Sequence, residues 1–343
     1  MNTDVIKRLK NAGLLSEQAH DLGFVSTGSY ALNKVISGNY MDGIPIGQIS
    51  QFHGESSTAK TVFATHILKE AQSKGYYSML VDSENAYNPT FARTLGLDPE
   101  RLIYSTPETL EDSFQVMEET ILSIRESDPE TPIVIAYDSI AVSPSKVEYD
   151  AESYDGNNMQ GAVRAKATGA CLRKINPLMR KHKVALIVIN QIRSKVGVMY
   201  GNPETMAAGG KSLDYYLGVN LKCISNKTAD LIRDDNKQVI GITGTVRNTK
   251  NKVSIPFREC EFELMYDDGL NACAGLLKQL VLDNIVDQNG AWYNWNGVKF
   301  QRKEFDEKFL TDEKFSQLRK TVGVESQPPA KSQLKADPIL LSD

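Results

Sequence analysis

The chain has 343 residues, 41% of them apolar and 24% charged, with a net charge of −4, which suits one large soluble domain or a core with a smaller companion. No signal-type apolar stretch follows Met1 and no run approaches the roughly eighteen apolar residues of a membrane span, so secreted and membrane classes are not expected and the cytoplasm is. The charge excludes a protein that grips polyanions with its whole surface, and Cys171, Cys223, Cys260 and Cys273 lack the spacing of a zinc site or disulfide framework.

Residues 1–24 read as a short helical arm suited to oligomerisation, with Val5 and Leu9 at helical spacing and no core of their own. An α/β pattern covers 25–268. Gly43-Ile44-Pro45-Ile46-Gly47 turns the chain into an apolar run ending at Phe52, and a helical pattern begins at Val62. Between them lies Gly54-Glu55-Ser56-Ser57-Thr58-Ala59-Lys60-Thr61, the strand, loop and helix order that cradles nucleotide phosphates. A tight turn points backbone N–H groups at the phosphates, Lys60 reaches the β and γ oxygens, and the Thr61 hydroxyl ligates Mg²⁺. Ala59 stands where this pattern has glycine, the residue favoured where φ is positive. The bland alternative is a Gly/Ser turn with no ligand.

Three further apolar runs end in polar residues. Tyr77–Val81 runs into Asp82-Ser83-Glu84, Ile133–Tyr137 into Asp138-Ser139, and Val184–Ile189 into Asn190-Gln191. Runs of this kind are expected of parallel strands buried on both faces, and ligands bind at the carboxyl ends of such strands, so Lys60, Glu84, Asp138 and Gln191 are expected to converge. There Asp138 would hold Mg²⁺ through its water shell, Glu84 would polarise a water, and Gln191 would sense the γ-phosphate. The competing explanation is that strands end in polar residues because water begins there.

Two segments are candidate DNA-binding loops. The first, about 146–163, precedes Arg164 and contains Met159, although its acids Glu148, Asp150, Glu152 and Asp155 oppose phosphate attraction. The second, about 192–211, has no clear period and holds Arg193, Ser194, Lys195, Val196, Gly197, Val198, Met199, Tyr200, Gly209 and Gly210. Long loops in compact domains are usually functional, and this one combines cations for phosphates with apolar and aromatic groups for bases. A lid over the nucleotide explains it equally well. Residues 269–322 read as a small α/β C-terminal domain with a helical run at Ala274–Asn284 and an aromatic hairpin at Ala291–Gly297. The tail 323–343 is poor in large apolar residues and expected to be disordered, ending in an Ile339-Leu340-Leu341 cluster that is either a docking peptide or a frayed end.

The stretch Ile189–Thr205 closely resembles the second DNA-binding loop of bacterial RecA recombinases, and Asn251-Lys252-Val253-Ser254-Ile255-Pro256-Phe257 resembles their intersubunit segment. Val25-Ser26-Thr27-Gly28-Ser29, Asp82-Ser83-Glu84, Asp138-Ser139 and Gly290-Ala291-Trp292-Tyr293 fall in the family's order, and the resemblance spans about Val25 to Lys320. Asp98-Pro99-Glu100-Arg101 and Arg164-Ala165-Lys166 look more like the phage UvsX branch, so the chain resembles a phage-type RecA/UvsX recombinase.

The resemblance implies a RecA-like P-loop ATPase core with a mostly parallel central sheet, and ATP and Mg²⁺ as cofactors. It implies that Gly54 to Val62 hold the nucleotide, that Thr61 and Asp138 serve the metal, that Glu84 activates water and that Gln191 couples the γ-phosphate to the DNA loop. Phe91 falls where the family stacks an aromatic on adenine, and Asn88 where an acidic residue contacts the base edge. Lys250 and Lys252 match lysines that reach into the neighbouring subunit's ATP site. Met159, Arg164, Arg193, Val196, Met199 and Tyr200 would line the filament axis and hold single-stranded DNA. The implied activity is ATP-dependent strand exchange with homologous duplex DNA by a helical homo-oligomer in the cytoplasm, that of the host if phage-encoded, with single-strand binding and loading proteins as candidate partners. Alternatives are a helicase-like ring ATPase on the same core and a non-hydrolysing DNA-coating protein. The departures are Ala59, Asp214 in place of a further interface lysine, and one extra residue near Ala207-Ala208.

Overall fold

The computed structural model describes residues 4, 5, 8, 22–151, 160–194, 204–206, 210–225 and 230–324. Most of the expected N-terminal arm, the tail beyond Val324, Met159, Lys195, Val196, Gly197, Val198, Met199, Tyr200 and Gly209 lie outside the described residues.

A two-stranded ribbon of β1 (Phe24–Val25) and β2 (Ile44–Pro45) flanks the helix Tyr30–Ser37, which Ser29 caps at its start and Gly38 ends in a left-handed turn at φ 88. The core strands then follow in chain order: β3 (Ile49–Gly54), β4 (Tyr77–Asp82), β5 (Leu102–Ser105), β6 (Ile133–Asp138) and β7 (Val184–Ser194). After β8 (Glu204–Met206) come β9 (Leu217–Ile224), β10 (Leu231–Arg233), β11 (Val239–Asn251), β12 (Glu259–Met265) and β13 (Gly269–Leu270). They form one sheet with the order β13-β12-β11-β9-β3-β7-β6-β4-β5, parallel from β9 to β5 and antiparallel from β9 to β13, with β10 added to β11 and β8 to β7.

The parallel strands are apolar throughout because both faces are covered. Val134, Ala136, Ile187 and Ile189 point into one core with Leu32, Phe63 and Ile67, from the helices Tyr30–Ser37 and Lys60–Ser73. Their neighbours Ile133, Ile135, Leu186 and Val188 point into the other, against Phe114 and Ile121 of the helix Leu110–Ser127 and Leu172 and Ile175 of the helix Gln160–Lys181. Side chains alternate across a strand, so each run feeds two cores at once, and each fully buried Leu or Ile contributes about 1.5–3 kcal/mol.

Beyond β13 a separate cluster forms around Phe300, Phe305, Phe309 and Phe315, with the Phe305 and Phe309 rings stacked 4.5 Å apart. It joins the helix Leu276–Leu282 to the sheet β14 (Asp287–Asn289), β15 (Trp292–Trp295) and β16 (Val298–Gln301), and to the helices Arg302–Lys308 and Ser316–Thr321. The Tyr40 hydroxyl and the Lys34 ammonium both meet the Asp283 carboxylate at 2.6 Å and tie this cluster to the core.

The segment expected as an irregular loop from residue 192 is ordered at both ends. β7 runs on through Ser194 and pairs antiparallel with β8, Arg193 opposite Thr205 and Ser194 opposite Glu204, while Gly210 starts the helix Gly210–Tyr216. Gly197, Gly201, Pro203 and Gly209 lie outside the described residues, and cross-strand pairing overrides composition where β7 meets β8. No described helix is long and apolar enough to cross a membrane.

Candidate functional site

β3 ends at Gly54, where a Cβ would come within 2.4 Å of the Cys223 carbonyl oxygen on β9, so no larger residue fits at the mouth of the loop. The chain turns with Ser57 and Ala59 both in the left-handed region, at φ 65 and 64, and enters the helix at Lys60, two residues earlier than the periodicity placed it. That start leaves the first backbone N–H groups of the helix unpaired within it, a ready anion site. The Lys60 side chain, only 7% exposed, folds back over the loop and donates to the Glu55 carbonyl oxygen at 2.5 Å and to Thr58 Oγ1 at 3.4 Å. A buried ammonium on neutral acceptors is poised to take phosphate oxygens instead.

The register brings the strand ends level, with Gly54 beside Gln191 and Asp82 beside Asp138. The Thr61 hydroxyl donates to Asp138 Oδ2 at 2.6 Å. Asp138 is 7% exposed, and burial, reinforced by Glu84 and Asp82 against the opposing Thr61 and Lys60, pushes its carboxyl up to about 6. Its peptide bond to Ser139 is cis, and the Ser139 hydroxyl donates to Glu84 Oε1 at 2.7 Å, while Gln191 Nε2 donates to the same oxygen at 3.3 Å. Lys60, Thr61, Glu84, Asp138 and Gln191 thus share one edge of the sheet. Asp82 is a bracket: it accepts from the backbone N–H of Glu84 and Tyr87 at 3.0 and 2.9 Å and from the Tyr104 hydroxyl at 3.1 Å, which sets the Glu84 turn.

Excess carboxylate around the Thr61 hydroxyl and the buried Asp138 carboxylate suits a hard oxygen-seeking cation. Among the described residues no three His, Cys, Asp or Glu side chains are arranged to hold a metal alone. Thr61 and Asp138 are the residues that would hold Mg²⁺ here.

A cavity of about 460 Å³ opens beside the loop, with Ser57 to Val62 on one side and Ile242, Leu264 and Tyr266 on the other. Tyr266 went unnoticed in the sequence. It continues the parity of Cys260, Phe262 and Leu264, whose side chains are buried, and Phe262 packs edge-on against Phe63 of the phosphate-loop helix at 5.2 Å. That alternation, carried past the end of β12, was the available signal.

Neither Asn88 nor Phe91 lines that cavity. Asn88 caps the helix Pro89–Thr94, its Oδ1 accepting from the N–H groups of Thr90 and Phe91 at 2.9 and 3.1 Å. The helix nonetheless reaches the Tyr266 side, because Leu95, just beyond its end, lies where a Cβ on Gly269 would come within 3.0 Å. Phe91 and Tyr266 are both exposed aromatic side chains, at 39% and 42%.

The lysines expected to act across an interface lie away from this subunit's loop. Gly54 is level with Cys223 and Val246, whereas Lys250 is level with Asn220 and Gln51, three residues or about 10 Å back along β3. Lys250 Nζ donates to the Asp214 carbonyl oxygen and Lys252 Nζ to that of Tyr215, the latter at 3.3 Å. Burial, and then Lys250, hold the Lys252 ammonium below the usual lysine value.

Arg164, expected to face DNA, is engaged within the chain. Its Nε and Nη2 each donate to the Glu148 carboxylate at 3.1 Å, and Nη1 donates to the Ala141 carbonyl oxygen at 3.3 Å. Glu148 is fixed by a capping box with Ser145; burial acts to raise its carboxyl, but the bonds from Arg164 and Ser145 outweigh it and leave the group below the usual carboxylate value. The two-pronged pair with a mostly buried carboxylate turns the arginine inward in this structure.

The family model described as RecA N-terminal domain matches residues 8–271. Protein RecA of Heliobacterium modesticaldum is 34% identical over 287 residues, 83% of this chain and 78% of the relative. Protein RecA of Desulforapulum autotrophicum is 33% identical over 312 residues, 89% and 85% of the two chains, and that of Clostridium acetobutylicum 34% identical over 275 residues, 80% and 74%. All three are bacterial, and they lend no support to the phage-type branch. The chain belongs to the RecA family, and with it to the DNA-dependent ATPases that form filaments and couple ATP to strand exchange.

Proposed function

We propose that the loop Gly54 to Thr61 is the ATP site of this recombinase and that each site is completed by the neighbouring subunit in a filament on single-stranded DNA. The contact between Thr61 and Asp138 at 2.6 Å carries the reading, because it places a hydroxyl and a cation-seeking carboxylate at the start of the phosphate-loop helix. Lys60 exchanges the Glu55 carbonyl oxygen for the β and γ oxygens of ATP. Thr61 and Asp138 hold Mg²⁺, which when bound neutralises charge on those oxygens. Glu84, with Oε1 held by Ser139 and Gln191, keeps Oε2 for the attacking water and draws its proton as the oxygen approaches the γ-phosphorus.

Gln191 opens the segment that leads through Arg193 and Ser194 to the second DNA loop, so a side chain that turns from Glu84 toward a γ-oxygen moves the start of that loop. Lys250 and Lys252 supply positive charge in trans, an effect worth about three to five decades in rate where an arginine finger does the same. Homologous duplex DNA is the second substrate of the filament. The phage branch suggested by Asp98–Arg101 and Arg164–Lys166 is not needed for this reading, which rests on the RecA family as a whole. Lys60→Ala tests it: ATP-dependent assembly on DNA and strand exchange are expected to disappear, and normal strand exchange by this variant overturns the mechanism.

A further inference from the structure

We propose that the buried amides of Asn190, Gln51 and Asn220, together with His53, are positioning residues that tie Gln191 to the subunit contact at Asp214, so that the nucleotide in one subunit governs its hold on the next. This rests on the proposed ATP site and on its completion by a neighbouring subunit.

Polar side chains are costly inside a sheet unless they are paired. Asn190 on β7, Gln51 and His53 on β3 and Asn220 on β9 are all buried, on strands that lie side by side, and they are hydrogen-bonded in series. The Gln191 backbone N–H donates to Asn190 Oδ1 at 2.9 Å, Asn190 Nδ2 to Gln51 Oε1 at 3.1 Å, Gln51 Nε2 to Asn220 Oδ1 at 2.9 Å, and Asn220 Nδ2 to Asp214 Oδ1 at 3.5 Å. His53 Nδ1 donates to the same Asn220 oxygen at 2.8 Å, which joins the residue before Gly54 to the series.

The two ends fix the direction. A backbone N–H only donates and a carboxylate only accepts, so each amide between them has one orientation that keeps every bond. The series therefore cannot relax by turning one amide over. A displacement of Gln191 either breaks a buried hydrogen bond or is passed from strand to strand. The Gln191 side chain holds Glu84 Oε1 in this structure, and on the proposed function it turns to a γ-oxygen when ATP is bound. The two nucleotide states thus place the start of the series differently.

The other end lies at the surface where the second subunit is expected. Asp214 is exposed, its backbone carbonyl oxygen accepts from Lys250, and Lys250 stands beside Asn220 in the register. Tyr215, Ile255 and Phe257 are exposed on the segments that Lys252 joins, a set of large apolar side chains suited to burial against another copy. A subunit with ATP presents Asp214 in the position the contact needs, and a subunit with ADP does not.

The test measures the protein concentration at half-maximal filament assembly on single-stranded DNA, with ADP and with a non-hydrolysable imido analogue of ATP. Gln51→Met removes both polar roles in the middle of the series at similar volume. Asp214→Ala removes the last acceptor at an exposed position outside the core, and Asp214→Asn keeps an acceptor there without the charge. The ratio of the two midpoints, ADP over analogue, is expected to fall about tenfold in Gln51→Met and in Asp214→Ala, to return in Asp214→Asn, and to fall no further in the Gln51→Met, Asp214→Ala double variant, with the ADP affinity of dilute subunits unchanged throughout. An Asp214→Asn protein as deficient as Asp214→Ala assigns the effect to charge at the contact and overturns the proposal, as does a double variant whose loss is the product of the two. Should Gln51→Met not fold, the Asp214 pair decides alone. A large wild-type ratio left unchanged by every variant overturns the series and leaves the proposed function standing, whereas wild-type protein that assembles equally well with either nucleotide overturns both.

Discussion

Replacing Ala59 by glycine should stabilise this protein, although glycine is ordinarily the less stable residue near a helix. Ala59 sits at φ 64 and ψ 14 with no side-chain cap bond, so its methyl carries the left-handed penalty and gives no hydrogen bond in return. That penalty is about 1–2 kcal/mol for a residue with a Cβ. Glycine removes it but gives back about 0.5–1 kcal/mol through the greater freedom of its unfolded chain, and loses some contact of the methyl with the core around Phe63. The expected net is a gain of about 0.5–1 kcal/mol, or about 1–3 °C in melting temperature for a chain of this size. Urea unfolding of both proteins without nucleotide measures it, and Ala59→Val, which adds a β-branched side chain to the same strained backbone, should move the other way. The strain is present with or without nucleotide, so ADP affinity should change much less than stability. An Ala59→Gly variant less stable than the parent by about 1 kcal/mol would refute the reasoning, because residue 59 could then not be left-handed in the folded protein.

Lys250→Ala should leave ADP binding by dilute subunits intact and lower DNA-stimulated hydrolysis by about three decades, and an unchanged turnover rate would end its role in trans. Asp138→Asn should raise the Mg²⁺ concentration needed for half-maximal ADP binding at least about tenfold, read by titration at fixed nucleotide, whereas an unchanged requirement would place the cation elsewhere. His66 is buried and accepts the Leu270 N–H on Nε2 at 3.0 Å; burial, then Lys69, push its pKa down to about 4. A folded value below the unfolded one of about 6.5 means that its contribution is complete above pH 6.5 and is lost as pH falls toward 4, about 2 kcal/mol between pH 7 and 5. Asp138 acts with the opposite sign, since a carboxyl raised to about 6 loses stability as pH rises through that value, so the comparison of His66 with His66→Gln belongs in an Asp138→Asn background. Equal pH slopes for the two proteins there would show that His66 is not held neutral.

The parallel core was legible because buried strands leave a strong mark: each apolar run stops where the sheet meets water, and the residues at those stops, Glu84, Asp138 and Gln191, lie together on one edge. The phosphate loop was legible by its residue types, but the left-handed backbone at Ser57 and Ala59 was only implied by a pattern that has glycine at the second place. Tyr266 went unnoticed because the alternation of Cys260, Phe262 and Leu264 has to be carried past the end of β12 to reach it, and what fixes that parity is the packing of Phe262 on the distant Phe63. The pairing of Arg164 was hidden for a related reason, because a residue type in a window does not show its partner, and Glu148, one of the acids read as opposing phosphate attraction, holds the guanidinium. Composition also gave no sign of the strand that runs on past Gln191, because pairing of Ser194 with Glu204 is a property of the sheet and not of a window of residues.

On the proposed function, the position of Lys250 and Lys252 would make turnover depend on assembly. β11 runs antiparallel to β9, so a residue moving toward the end of β11 moves away from Gly54, and the bulge between Asn248 and Lys250 turns the strand further from straight continuation. An amine about 10 Å back along the sheet, anchored to the carbonyl oxygens of Asp214 and Tyr215, cannot swing to the γ-phosphate of its own loop without leaving the strand that carries it. Lys60 alone supplies cationic charge from within the described site, and it is needed for binding in the ground state as well as in the transition state. Charge that favours only the transition state must therefore come from another copy, which ties turnover to contact between subunits and contact to the DNA that aligns them. Asp214, which by the resemblance replaces a further interface lysine, would remove one cation from that contact, while its backbone carbonyl oxygen accepts from the lysine at 250. Restoring a cation with Asp214→Lys should accordingly change the salt sensitivity of assembly more than the turnover within formed filaments, and the reverse result would move Asp214 from the interface to the hydrolytic site.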